Sequence, residues 1–135
     1  MVLTLTRLER AVLDMLLAGD HQTLVALRSQ LAIAEIRERD LTGHGFYTDF
    51  AFPATKDVQP VTPRKLVLGD VWASTGTGLP DGAGFLLFVD EGVLNFLEGF
   101  TYGGETWRPS EADDFVLEYR DEPNPAFPHF APRSS

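Results

Sequence analysis

A carboxylate on the apolar face of a strand must find a partner or be pushed toward its protonated form by desolvation. Glu98 is in that position: alternation along Val93–Phe100 sets it on one face with Leu94, Phe96 and Phe100. Such a group can do acid/base work if a second proton carrier stands beside it. His44, between Gly43 and Gly45, and Asp49 are the residues that could share the task. His44 and Asp49 lie five apart in an extended stretch and face opposite ways, so the chemistry reduces to Glu98 with one of them. The structural alternative pairs Glu98 with an arginine such as Arg64 or Arg108. It leaves His44 as a loop residue that caps the helix before it.

Other catalytic chemistries lack their parts. There is no cysteine, hence no thiol nucleophile and no Cys-based zinc site. No serine sits in a G-x-S-x-G elbow. The histidines, His21, His44 and His129, fall at no metal-ligand spacing. The glycines of 74–84 lack the Gly-Lys-Ser/Thr of a phosphate loop, and Gly82 comes one residue late for G-x-G-x-x-G, so the segment reads as a wide turn. The expectation is no catalytic residue, no metal and no cofactor. A binding surface is the better candidate. The run from Leu97 to Trp107 mixes glycines, aromatic rings and acids, and Glu98, Phe100, Tyr102, Glu105 and Trp107 are its candidate contact residues.

Charge narrows the partner. The chain of 135 residues carries net −9. Residues 1–68 balance 8 basic against 8 acidic side chains, whereas 69–135 hold 3 against 12. A field of that sign repels phosphate backbones and attracts a basic protein, or serves solubility alone. No apolar run approaches the ~20 residues that span a bilayer, and the start MVLTLTRLER lacks the pattern of a secretory signal. The expected setting is the cytoplasm, without membrane or nucleic acid.

The elements that must position these residues follow from periodicity. Thr6-Arg7-Leu8-Glu9 fits a capping box, and Leu8, Val12, Met15 and Leu16 repeat at helical spacing. After Gly19, Asp20 is the N-cap candidate for a second helix with Leu24, Leu27, Leu31 and Ala34 as its stripe. That helix would carry Glu35 and Arg39 as an i,i+4 pair and end at Gly43. Alternation then predicts strands at Phe46–Phe52, Lys65–Ser74, Phe85–Val89, Val93–Phe100 and Phe115–Tyr119, with a hairpin turn at Asp90-Glu91-Gly92. The result is a single α+β domain over 1–120: an N-terminal helical hairpin on a four- to five-stranded antiparallel sheet. A Pro-rich extended tail follows at 121–135. The central hairpin is apolar on both faces, so its second face needs cover from the Pro-rich loop, from the tail through Phe127 and Phe130, or from another chain. The tail's two rings favour a monomer over a homodimer.

Two runs carry a resemblance. Gly84–Gly92 with Leu97-Glu98-Gly99-Phe100-Thr101-Tyr102-Gly103-Gly104-Glu105-Thr106-Trp107, and Thr42-Gly43-His44-Gly45-Phe46-Tyr47-Thr48-Asp49-Phe50, are similar to a signature of small uncharacterised bacterial single-domain proteins. There an apolar strand and an Asp-Gly turn precede LEGYTYG-E-W. The present chain departs by Glu91 in the turn and by Phe100 in place of Tyr. The resemblance implies kinship but no established activity, so it gives no residue a role. Immunity proteins of bacterial toxin systems share this size and acidity. The functional expectation is accordingly a non-catalytic binding module, an acidic inhibitor or immunity protein for a basic partner. The alternative is a small acid/base enzyme using Glu98 with His44 or Asp49.

Overall fold

The computed structural model describes residues 3–75, 79, 81–109 and 114–120. The expected tail at 121–135 lies outside the described residues. The first helix, α1 (Arg7–Leu16), begins where the capping box says it should. The Glu9 amide donates to Thr6 Oγ1 at 3.0 Å and the Thr6 amide donates to Glu9 Oε1 at 2.9 Å. Leu8, Val12, Leu13 and Leu16 form its buried stripe. Gly19 takes a positive φ of 120° just beyond it. His21, not Asp20, then caps α2 (Gln22–Ile33), its Nδ1 accepting from the Thr23 amide at 3.1 Å.

The second helix stops ten residues short of Gly43. Ala34 is extended, and Glu35–Leu41 forms strand β1 where helix was expected. The reason is energetic. An exposed Glu35–Arg39 pair on a helix is worth only about 0.3–0.5 kcal/mol. In the strand, Arg39 reaches the Glu9 carboxylate instead, donating from Nε at 2.8 Å and from Nη2 at 2.5 Å. Glu9 is 1% exposed. A carboxylate so buried costs several kcal/mol unless it is paired. Thr48 Oγ1 also donates to it, which completes its shell.

The remaining strands are β2 (Gly45–Ala51), β3 (Leu66–Leu68), β4 (Val71–Thr75), β5 (Ala83–Asp90), β6 (Val93–Thr101) and β7 (Val116–Tyr119). They make one antiparallel sheet in the order β1-β2-β6-β5-β4-β7, with β3 also on β5. The sheet therefore has seven strands rather than four or five. One is the former helix end. Another arises because Lys65–Ser74 divides at Gly69-Asp70, and its halves pair with successive parts of β5. The helices do not form the expected paired hairpin. α1 packs on β4, β5 and β7, and α2 packs on β6.

The core lies between the helices and one sheet face, centred on Phe85, Leu87, Leu97, Leu13, Leu16 and Leu24. One amide locks this layer to the loops. The buried Gln30 side chain donates to the carbonyls of Gln59 and Gly92 and accepts from the Leu94 amide, at 3.0, 3.0 and 2.9 Å. The hairpin turn is tighter than the three-residue sequence reading. Asp90 pairs with Val93, and only Glu91 and Gly92 intervene, with φ of 55° and 79°. That is the two-residue type I′ geometry.

Two outcomes follow. Glu9→Gln keeps the cap but removes the charge facing Arg39. It should cost about 3 kcal/mol, as broken buried pairs do, and should lower the urea midpoint without changing the slope. Glu91→Asn replaces a residue strained at positive φ by one that tolerates it. It should stabilise by about 0.5–1 kcal/mol, because the exposed Arg64–Glu91 contact at 3.8 Å adds little. A fall in thermal midpoint on that change would contradict the turn assignment.

Candidate functional site

The sheet face turned away from the helices holds most of the chemistry. Alternation along β5 sends Phe85, Leu87 and Val89 into the core, and leaves Leu86 and Phe88 half-buried on the other side. β6 carries a bulge: Phe88 pairs with Phe96 while Val89 pairs with Leu94, so Asn95 is the extra residue. The bulge corrects the simple alternation. Leu94 is buried in the core, and only Phe96, Glu98 and Phe100 share the outer face. On β2, Phe46, Thr48 and Phe50 point inward and Tyr47 and Asp49 outward. β1 sets Asp40 opposite Tyr47 and Glu38 opposite Asp49.

Register then composes the surface. Across the strands run Phe88, Phe96, Asp49 and Glu38, and beside them Leu86, Glu98, Tyr47 and Asp40. Phe88 and Phe96 stack at 4.3 Å between centroids, and Tyr47 meets Phe96 edge-on at 5.8 Å. Further along, Phe100 and Tyr102 meet edge-on at 5.4 Å over Gly84, where an added Cβ would come within 2.5 Å of the Phe100 ring. Glycine there makes the trough in which both rings lie.

The titratable groups are coupled locally. Tyr47 donates its hydroxyl to Glu98 Oε2 at 3.1 Å. Its phenol is held above the ordinary value of 10.0, first by the Glu98 charge, then by that hydrogen bond, by burial, and by Asp40. Burial raises the Tyr102 phenol too, and Arg120 opposes the rise, since it donates to the hydroxyl at 2.8 Å. Arg37 pairs with Asp49 at 3.0 Å.

The expected binding residues separate into three places. Glu98, Phe100 and Tyr102 share the outer face. Glu105 closes its own loop: its carboxylate accepts from the Gly103 amide at 3.2 Å, and its carbonyl oxygen accepts from Thr101 Oγ1 at 3.3 Å. Trp107 is a correction. It is 3% exposed and packs on Phe46 and Phe85 at 6.0 and 6.3 Å, so it plugs the core rather than anchoring a surface. Its amide donates to the Gly43 carbonyl at 2.9 Å, which clips this loop to the β1–β2 turn.

Each member of the acid/base set has a neighbour outside it. Glu98 holds Tyr47, Asp49 holds Arg37, and His44 Nδ1 lies 3.2 Å from the Glu105 carbonyl oxygen. None of the three lines the cleft of about 480 Å³ beside Arg10, Asp14, Arg28, Leu31, Ile36 and Phe50, nor a smaller one of about 220 Å³ beside Lys65, Val67 and Phe88. The expected capping role of His44 also changes, because β1 and not a helix precedes it. Among the described residues, no cluster of three His, Asp or Glu side chains is disposed to hold a metal ion, and no helix is long and apolar enough to cross a membrane.

Sequence reasoning placed Phe96 on the face of Glu98 but gave no binding role to it or to Tyr47, Phe88, Glu38 and Asp40. The alternation in 45–51 signalled that Tyr47 and Asp49 share a face. Asp40 was hidden by the helical reading of its segment. Comparison of the chain with protein families, curated proteins and solved structures gives no match.

The Tyr47–Glu98 contact has a spectroscopic consequence. The phenolate would stand beside a carboxylate, so removing that charge makes ionisation easier. Glu98→Gln should bring the Tyr47 pKa down toward 10.0 while the Tyr102 titration stays in place, as followed by NMR of ring-labelled tyrosine. An unmoved Tyr47 would mean that Glu98 does not face it in solution.

Proposed function

We propose that this chain is a non-catalytic, cytoplasmic protein-binding module that captures a basic partner, in the manner of an inhibitor or immunity protein. The observation that supports the reading is the outer sheet face. Among the described residues no helix packs on it, and it sets Phe96, Phe100, Tyr47 and Tyr102 beside the carboxylates of Glu98, Asp40, Asp49 and Glu38. Aromatic rings that are part-buried and fixed by neighbours concentrate binding energy at interfaces. Carboxylates beside them steer a basic protein in and raise its association rate, which suits an inhibitor that must act before its target does damage.

The charge on this face has an origin other than the sequence halves suggest. Asp90 and Glu91 sit at one end of the central hairpin and are offset by Lys65 and Arg64 at 4.0 and 3.8 Å. Asp81 precedes the other end of the same hairpin. On the outer face Asp49 is likewise offset by Arg37 at 3.0 Å, which leaves Glu38, Asp40 and Glu98, two of them from the half of the chain that is electrically neutral. The field on the face is therefore local, and Trp107 has no part in it.

The test is affinity capture from a bacterial lysate by the tagged chain, in low salt and again in high salt. A basic protein should be retained in low salt and released in high salt. Its capture should fall at least tenfold with Glu98→Gln combined with Phe100→Ala, and its own activity should drop when the chain is added. Capture that survives both salt and the substitutions would overturn the reading, and so would capture of nothing.

A further inference from the structure

We propose that the corner of the outer face formed by β1, β2 and β6 is a seat for an arginine side chain flanked by apolar residues, presented by the basic partner. This rests on the binding-module reading and names the chemistry that the surface recognises. Three observations support it. The first is ring placement. Tyr47 is 37% exposed, stands edge-on to Phe96, and Phe96 in turn stacks on Phe88. The rings are propped by each other, so a planar cation can lie on Tyr47 without ordering it first.

The second is charge. Glu98 is hydrogen-bonded to the same Tyr47 that would carry the cation, and Asp40 is paired across from it on β1. Two carboxylates on either side of one ring suit a guanidinium, whose fork of donors can engage oxygens while its plane stacks on an aromatic. A lysine offers a point charge without the plane. The third is the apolar border. Leu86 and Phe88 continue the surface away from the acids, so the residues that flank the arginine find hydrophobic ground on one side.

Charge also decides between this occupant and a second copy of the chain. Glu38, Asp40, Asp49 and Glu98 would meet their own images or near neighbours in a face-to-face dimer. The cations at the margins have acidic or phenolic neighbours of their own, Arg37 with Asp49, Arg120 with Tyr102 and Lys65 with Asp90. A basic partner relieves the repulsion that a second copy would add to.

The experiment uses the full chain labelled for NMR and three capped tripeptides of leucine-X-leucine, with X arginine, lysine or citrulline. Citrulline keeps the shape of arginine and removes its charge. The arginine peptide should give saturable shifts at Asp40, Tyr47 and Glu98, bind at least threefold more tightly than the lysine peptide, and at least tenfold more tightly than the citrulline peptide. It should also move the Tyr47 titration down, because a cation beside Glu98 offsets the charge that holds the phenol up. Asp40→Asn with Glu98→Gln should weaken it at least tenfold, and Asp57→Asn, in the exposed loop after β2, should leave it unchanged. Equal binding of the citrulline peptide would overturn the proposal. Shifts centred on Asp81 or Glu118 would do the same, as would a dimer in sedimentation that protects Tyr47. A captured basic protein that binds at another surface would also overturn it, while leaving the binding-module reading in place. Arginine binding here with no protein captured would uphold the seat and sink that reading.

Discussion

Burying one carboxylate constrains most of the fold. Glu9 lies in the first turn of α1 with almost none of its surface exposed, and every partner it has comes from a different element. Thr6 supplies the helix start, Arg39 comes from β1, and Thr48 comes from β2. The buried charge would be intolerable if any of the three elements were out of place. It therefore specifies where the helix sits over the sheet, and it does so through direction, which apolar contacts cannot supply. The same Arg39 donates from Nη2 to the Thr4 carbonyl at 2.9 Å, so the chain entering α1 is held by the same group. The outer face of β1 and β2 inherits its register from a polar cluster on the opposite side of those strands.

The two faces of the sheet do different work through the same alternation. Inward residues are aliphatic and phenylalanine side chains that interlock with the helices. Outward ones include the rings of Tyr47, Phe88 and Phe96, held by each other, with carboxylates beside them. Glycines mediate between the two. Gly99 on β6 leaves room for Phe46, whose ring would lie 2.3 Å from an added Cβ, and so draws Phe46 inward toward Phe85 and Trp107. Gly84 does the equivalent outside for Phe100 and Tyr102. A side chain at either position would disturb ring packing on one face only.

Much of this was legible from local pattern. The capping box placed α1, and alternation placed β2, β5, β6 and β7 to within a residue or two. What failed were features whose cause lies far away in sequence. Glu35–Leu41 has helical spacing of charges, but it is a strand because it pairs along β2 and sends Arg39 to Glu9, 30 residues away. The bulge at Asn95 turned Leu94 inward against simple alternation, and no nearby residue announces it. Trp107 looked like an exposed anchor because its neighbours are glycines and polar residues. Its burial depends on Phe46 and Phe85, which arrive from other strands. Of the surface residues, Glu98, Phe100 and Tyr102 were visible in one run, while Tyr47 and Asp40 needed the pairing of three strands to join them.

Among the described residues the sheet order ends at β1 and β7, and both ends are poor templates for strand addition. β7 is only four residues long and carries Glu118 within it and Arg120 just after it. β1 is broken by a bulge, studded with Glu35, Arg37 and Glu38, and touched by Leu3 in an isolated bridge to Ile36. Charge, bulging and shortness are the means by which sheet margins avoid recruiting foreign backbone. A protein approaching this sheet finds few free amides and carbonyls in a row to zip against. On the binding-module proposal a partner would be read by its side chains, which is a stricter test of identity than hydrogen bonding to peptide groups that every polypeptide possesses.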